Sequence, residues 1–433
     1  MRHIRRPHRD RIGYITIAAV LLATTLGCVA EGGRRQTIHH PVLRRYDPAI
    51  EPYVAFLQRQ STAPADYILG LFERYDIVIL CERMHSETTQ WDMIYELTSD
   101  ARFIDEVGVI FTEYGTVTLQ PLLDEFLMAP DLSPEQAKQK LLHIARNLTP
   151  WWPIQLNRNF YDYLAKLRTL NGTLPQDKKI RLYFCDVPWD WNTTTTETLL
   201  QAWREVVKRR DLIMAQRVIE ERRRRLAAGE RNKCLVIMNY RHAFRRMDNT
   251  GRYIFEAFPG EVANVFINTL APVAARSDRD ISFDVIQDGK WDAAFESIGN
   301  PALGFDFQDS PFGSDSFDLC PFDPAAVAAL HYEDMFTGFV FHEPLSAHRL
   351  AEGIPGFFDE AFVEEVRRRF RLAESTELAQ RYSPSGFEAS IARAIGQGIP
   401  LGKISSSRDV NGLYSRQKIA RWLADDDAQA EDE

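Results

Sequence analysis

The sequence predicts an α/β protein: a mainly parallel sheet flanked by helices, with helical insertions and a helical C-terminal region. Six short runs carry that prediction, because each is continuously apolar and rich in β-branched and aromatic residues. Continuous rather than alternating apolar character belongs to strands covered on both faces, as in a parallel sheet. Helical patterns lie between the runs, so right-handed crossovers are expected. The runs also end in polar residues unlike those within them.

In chain order the expected strands are "YDIVILCE" (Tyr75–Glu82), "VGVIFTEYG" (Val107–Gly115), "IRLYFCDVP" (Ile180–Pro188), "KCLVIMNYRH" (Lys233–His242), "EVANVFINTL" (Glu261–Leu270) and "FTGFVFHEP" (Phe336–Pro344). The expected helices include "ETTQWDMIYELTS", "NFYDYLAKLRTL" and one very long segment from Glu197 to Gly229. Residues 118–159 are mostly helical and too long for a simple crossover. The basic run "ERRRRLAA" reads as the solvated face of the long helix. Residues from about 357 to 425 read as helices packed on the outside, and "SPFGSDSFDLCPFDP" reads as a surface loop with turn chemistry.

The N-terminus differs from the rest. "MRHIRRPHRDR" is strongly basic, and an apolar run of roughly a dozen residues follows, the size of a signal-peptide core and short for a membrane span. It ends at Gly27-Cys28, as a bacterial lipoprotein signal ends. The expected organisation is a signal and anchor segment at 1–28, lipidated at Cys28, then a tether at 29–45. A single α/β domain follows at 46–425, with a helical insertion at about 118–159 and a disordered acidic tail at 426–433. This places the protein in the bacterial cell envelope, anchored to the periplasmic side of the outer membrane. The net charge of −9 gives no reason to expect a nucleic acid partner. The five cysteines show no CxxC pairing, so no zinc knuckle is indicated.

In an open parallel sheet all carboxyl ends lie on one edge, where ligands bind. The first run ends in Glu82 with His85 behind it, and the second in Glu113 and Tyr114. The third ends in Asp186, followed by Trp189 and Asp190, and the fourth in Asn239, Arg241 and His242. The sixth ends in His342 and Glu343, with His342 read as an ordinary strand-end histidine. Each acid alone also suits a helix cap or a turn. Together they suit general base catalysis on water, because like charges raise carboxylate pKa values and histidine titrates near neutrality. Cys81 and Cys185, on strand ends taken as neighbours, read as small buried side chains, with a disulfide or ligation as alternatives.

These residues resemble the erythromycin esterase-like family and its wider relatives, the ChaN-type haem-uptake lipoproteins and the TraB/Tiki proteins. Cys81-Glu82-Arg83-Met84-His85 resembles the family's Gly-Glu-x-x-His, and "FTEYG" its second strand ending in Glu. "IRLYFCD" is similar to its strand ending in Asp, "RDLIMAQRVI" to its Arg-Asp-x-x-Met-Ala helix, and "VIMNYRHAF" to its His-Asn-x-His. The likeness spans roughly residues 75–350 and departs at Cys81, where the family has Gly, and at Asn239, where it has His.

The resemblance implies a hydrolase that cleaves an ester or lactone of a small molecule by activated water, without a covalent intermediate, here on a chain whose N-terminus reads as a lipid anchor. It implies that His85 is the general base, Glu82 and Glu113 orient it or the water, His242 stabilises the oxyanion and Asp186 shapes the cleft. Asn239, Arg241, Tyr114 and Trp189 are the expected substrate-binding residues. No cofactor is expected on this reading, and the absence of Gly-x-Ser-x-Gly agrees with water as nucleophile. A second reading is hydrolysis assisted by a divalent metal, zinc or manganese, on Glu82, His85, Glu113 and His242. A third is a non-catalytic binding lipoprotein, with haem held by His85 or His242 between Trp151, Trp152, Trp189 and Trp191.

Overall fold

The computed structural model describes residues 39–150, 152–273, 282–319 and 327–423. The anchor segment with Cys28, residues 29–38 of the tether, Trp151, Cys320 and the acidic tail lie outside the described residues.

The strands are Ile77–Glu82 (β1), Val109–Thr116 (β2), Arg181–Asp186 (β3), Cys234–Asn239 (β4), Val262–Ile267 (β5), Ala271–Val273 (β6), Ser282–Asp284 (β7), Leu303–Asp306 (β8), Gly338–Phe341 (β9), Arg349–Glu352 (β10) and Ser406–Asp409 (β11). Seven of them form one sheet in the order β3-β2-β4-β1-β5-β9-β8. All six expected strands are present in it and pair in parallel. The short β8 was not expected; it closes the edge antiparallel to β9. The two remaining pairs, β6 with β7 and β10 with β11, are short and antiparallel.

The continuous apolar runs work as predicted. Along β1, Ile77, Ile79 and Cys81 join the core on one face, while Val78 and Leu80 join the core on the other. Side chains alternate across a strand, so a sheet with helices on both faces needs apolar residues at every position. Each buried Ile or Leu contributes about 1.5–3 kcal/mol. The helices Thr89–Ser99 and Arg158–Thr173 cover the second face; Arg210–Ala227 and Thr250–Ala257 cover the first. The expected insertion contains the helices Gln120–Met128 and Pro134–Asn147. The C-terminal helices Glu360–Glu374 and Ser385–Gly396 build a separate apolar cluster around Phe358 and Ile391.

Four expectations need correction. The long helix is interrupted: Thr196–Gln201 passes into a π-turn at Ala202–Val206 and a 3₁₀ turn at Val207–Arg209 before Arg210–Ala227 begins. The basic run is not wholly solvated, because Arg222 and Arg225 are buried and Arg222 bonds Asp76 and Glu261 at the amino ends of β1 and β5. The loop around Phe312 is core rather than surface: Phe312, Phe317 and Leu319 are buried, and Phe312 packs edge-on to Tyr53. Finally, β1 and β3 are separated by β4 and β2, so Cys81 and Cys185 are not neighbours; both are buried free thiols.

Candidate functional site

The carboxyl edge of the parallel strands gathers Glu82 from β1, Glu113 from β2, Asp186 from β3 and His242 from the turn after β4. Local structure explains how each is aimed. After β1 the chain turns through residues 83–88, pinned by Gln90, whose side chain accepts from the Arg83 N–H at 2.7 Å and donates to the Met84 carbonyl at 3.0 Å. Glu87 caps the helix that follows by accepting from the N–H groups of Thr89 and Gln90. The Asn159 amide holds the His85 carbonyl at 2.7 Å. These bonds fix a loop that would otherwise carry His85 freely.

Glu113 depends on an irregularity in β2. The register with β3 shifts between Thr112 and Thr116, and Gly115 adopts φ +91° there. A Cβ at Gly115 would meet the Phe184 ring at 2.4 Å, so the bulge needs glycine. Bulges re-aim side chains, and this one turns Glu113 towards the cleft. Its Oε1 accepts the Asn239 N–H at 2.8 Å.

Two linked chains of polar contacts result. In the first, His85 Nδ1 donates to Glu82 Oε2 at 2.8 Å and lies 3.7 Å from Glu113 Oε1. The other Glu82 oxygen accepts from Trp91 Nε1 at 3.0 Å and from the Tyr114 hydroxyl at 3.1 Å. In the second, Arg210 clamps Asp186 with two bonds of 2.9 Å. Its third arm reaches His242 Nε2 at 3.2 Å, and His242 Nδ1 lies 2.8 Å from Asp211 Oδ1. Glu113 joins the chains: its Oε2 lies 3.2 Å from His242 Nε2 and 3.8 Å from Arg210.

Electrostatics follows from burial and neighbours. Burial pushes the Glu82 carboxyl up, opposed by His85. Burial would lower the His85 imidazole, but Glu82 and Glu113 outweigh it and raise its pKa. Burial would raise Glu113 too, yet His242, His85 and Arg210 hold it below the usual carboxylate range. Asp211 is held down at about 2: burial opposes this, and His242 and Thr250 outweigh it. Burial keeps the Tyr114 phenol protonated, as a donor to Glu82 must be.

Three features bear on chemistry. The His85 side chain is 38% exposed, and no protein atom is hydrogen-bonded to its Nε2 among the described residues. Glu113 Oε2 is buried without a hydrogen bond. Ligand atoms from Glu82, His85 and Glu113 all lie within 4.8 Å of one another, a set able to hold a metal ion. His242 has both nitrogens engaged, by Arg210 and Asp211.

The other expected residues take various positions. Tyr114 is buried behind Glu82. Asn239 ties strands together, donating to the Arg83 carbonyl at 2.9 Å and capping the turn that carries His242. Arg241 is exposed beside it. Trp189 packs edge-on to Trp191, which is buried and donates to the Thr149 carbonyl. His342 lies with Arg83 and Glu87, and burial first, then Arg83, lowers its pKa to about 4. Arg210, Asp211 and Trp91 were not foreseen as site residues. "RDLIMAQRVI" carried the first two as a family-like helix, without a site role for either side chain.

No family model matches this chain, and no curated protein does. Three solved structures are similar to it. An erythromycin esterase mutant in its open conformation is 12% identical with a TM-score of 0.41, over 69% of this chain and 96% of that one. A Bacillus cereus protein is 12% identical with a TM-score of 0.40, over 69% and 94%. A succinoglycan biosynthesis protein is 11% identical with a TM-score of 0.39, over 69% and 94%. Identities this low say nothing about substrate.

Proposed function

We propose that this protein is a hydrolase that cleaves an ester or lactone of a small molecule with a water activated by His85. The observation that carries the reading is the Glu82–His85 pair: Nδ1 donates to a buried carboxylate while Nε2 is left open at the cleft. An imidazole oriented through one nitrogen and open at the other is the arrangement a general base needs. Nε2 takes a proton from water as the water oxygen attacks the carbonyl carbon. The tetrahedral intermediate then breaks its bond to the leaving alkoxide, which receives that proton. The products are a carboxylic acid and an alcohol, joined in one molecule if the substrate is a lactone.

In this reading Arg210 joins His242 in stabilising the oxyanion. His242 Nε2 lies 3.2 Å from both the Arg210 guanidinium and Glu113 Oε2, and its Nδ1 faces Asp211. The ring is thus held by its neighbours, and the Arg210 guanidinium adds a fixed positive charge beside it. Tyr114 and Trp91 position Glu82, and Asn239 positions Glu113.

A divalent metal is the second reading, favoured by the Glu82, His85 and Glu113 grouping and the unbonded Glu113 oxygen. Those three would hold the ion, which would lower the pKa of a bound water. In the same proposal the chain is anchored to the envelope membrane by a lipid on Cys28, testable by metabolic labelling with palmitate and loss of label in Cys28→Ser. The deciding experiment for catalysis is hydrolysis of p-nitrophenyl esters and simple lactones by the wild-type protein and His85→Ala, with and without a chelator. Loss of activity in His85→Ala and indifference to the chelator support activated water. Loss with the chelator and recovery with zinc or manganese support the metal. Cleavage undiminished in His85→Ala defeats both.

A further inference from the structure

A cavity of about 440 Å³, lined by none of the residues of the His85 site, opens between the C-terminal helices and the β10–β11 pair. Its volume lies within the range of about 300–1,000 Å³ typical of small-molecule sites. The wall is apolar: Phe358, Phe370, Phe387, Ile391, Ile399 and Ile404 line it. Ile399 is 39% exposed at the opening, and Ile395 on the adjoining helix end is 65% exposed. Apolar surface left open in this way is what a ligand or a partner normally covers.

The rim identifies the ligand's chemistry. Arg393 and Lys403 stand on it, and neither makes an ion pair or side-chain hydrogen bond among the described residues. This contrasts with the arginines nearby: Arg367 is held by Glu364 and Glu388, and Arg369 by Glu365. One carboxylate, Glu352, also lines the cavity, so the charged side chains on its lining sum to one positive. Two uncommitted cations above an apolar slot match a molecule with one anionic end and a hydrocarbon body.

We infer that this cavity binds a single-chain anionic amphiphile of the fatty-acid class. The alkyl chain fills the slot between Phe358, Phe387 and Ile391, and the carboxylate is met by Arg393 and Lys403. The cavity shares no lining residue with the His85 cleft, so binding there does not depend on the reaction that cleft performs.

The test is calorimetric titration of the full chain with monomeric octanoate, decanoate and dodecanoate, alongside dodecanol and dodecyltrimethylammonium. Saturable binding that tightens about fourfold per added methylene is expected, because each buried methylene contributes by burial alone. The cationic amphiphile should bind at least tenfold more weakly than dodecanoate. The exposed double variant Arg393→Glu/Lys403→Glu should weaken dodecanoate at least tenfold and leave dodecanol unchanged. Ala394→Phe, which fills the slot from its wall, should abolish all three carboxylates. Where that core change prevents folding, the surface charge reversal decides alone. Affinity flat with chain length, equal binding of the cationic amphiphile, or dodecanoate affinity unchanged by the charge reversal overturns the inference. So does retention on phosphatidylglycerol vesicles without binding of monomeric dodecanoate.

Discussion

Arg210 stands 3.2 Å from His242 Nε2 while both its other arms grip Asp186, so one guanidinium ties the end of β3 to the histidine on the turn after β4. Arg210→Lys loses the planar fork and cannot hold both partners. It should lower kcat about hundredfold. It should also cost about 1.5–3 kcal/mol in urea denaturation, because Asp186 loses one of its two charge-assisted hydrogen bonds although the positive charge remains. Wild-type kcat in this variant would exclude Arg210 from oxyanion stabilisation.

Asp211→Asn tests the same chain from its far end. The amide carries no charge, and its NH2 can turn to face the ring in place of the oxygen, so the His242 Nδ1 contact is weakened. A fall in kcat of about hundredfold with KM nearly unchanged is expected. A change confined to KM would mean that this chain contacts substrate and does not shape the reaction.

The His85 pair sets a pH profile. Its pKa is raised in the fold, and a general base must be neutral, so kcat should climb as pH passes through a value above the ordinary histidine range of about 6.5. Glu82→Gln removes the largest raising influence and should shift that limb to lower pH while reducing the plateau. The stability contribution runs the other way: the charged pair favours the fold below the unfolded histidine pKa, and that stability is lost as pH rises through the raised value. A limb that stays in place in Glu82→Gln would show that another group titrates.

Gly115→Ala should be among the most damaging single methyl additions. A side chain at φ +91° is strained, and the new Cβ drives into Phe184. A loss of about 1–3 kcal/mol in thermal or chemical denaturation is expected from the backbone alone. Activity should fall further than stability, because Glu113 rides on the same bulge. A variant with normal Tm and kcat would remove the bulge from the account.

Glu87 offers an acid-stability test independent of catalysis. It is buried against Arg83, each side chain 1% exposed, and although burial opposes it, Arg83 and His348 lower its pKa to about 2. A depressed carboxylate stabilises the fold above its unfolded pKa, and that stability is lost as pH falls towards 2. Glu87→Gln should therefore flatten the acid limb of a stability–pH curve and cost about 3–5 kcal/mol at pH 7. An unaltered acid limb would assign the transition to other groups.

The sheet was legible because burial on both faces writes itself into every residue of a strand. Glu82, Glu113, Asp186 and His242 could be gathered without coordinates, since parallel strands put their carboxyl ends on one edge. The features missed lack such a signature. β8 is only four residues long and contains Gly304, so "LGFD" has neither length nor periodicity. Arg210 and Asp211 sit in a charged stretch, and nothing in its spacing marks these two as facing the cleft. Asn239 read as a lost histidine, and it proves to be a brace across two strands and a turn.

That helix break limits what lengths the chain can take. An α-helix advances about 100° per residue. The π-turn at Ala202–Val206 therefore acts as an angular spacer between Asp186 and its arginine. Removing one residue there would swing Arg210 and Asp211 about a quarter of the way round the helix and disconnect both ends of the chain at once. Removing a whole turn would restore their direction and leave Arg210 about 5 Å from its place. The number of residues from Ala202 to Arg210 is thus constrained as tightly as any side chain in the site.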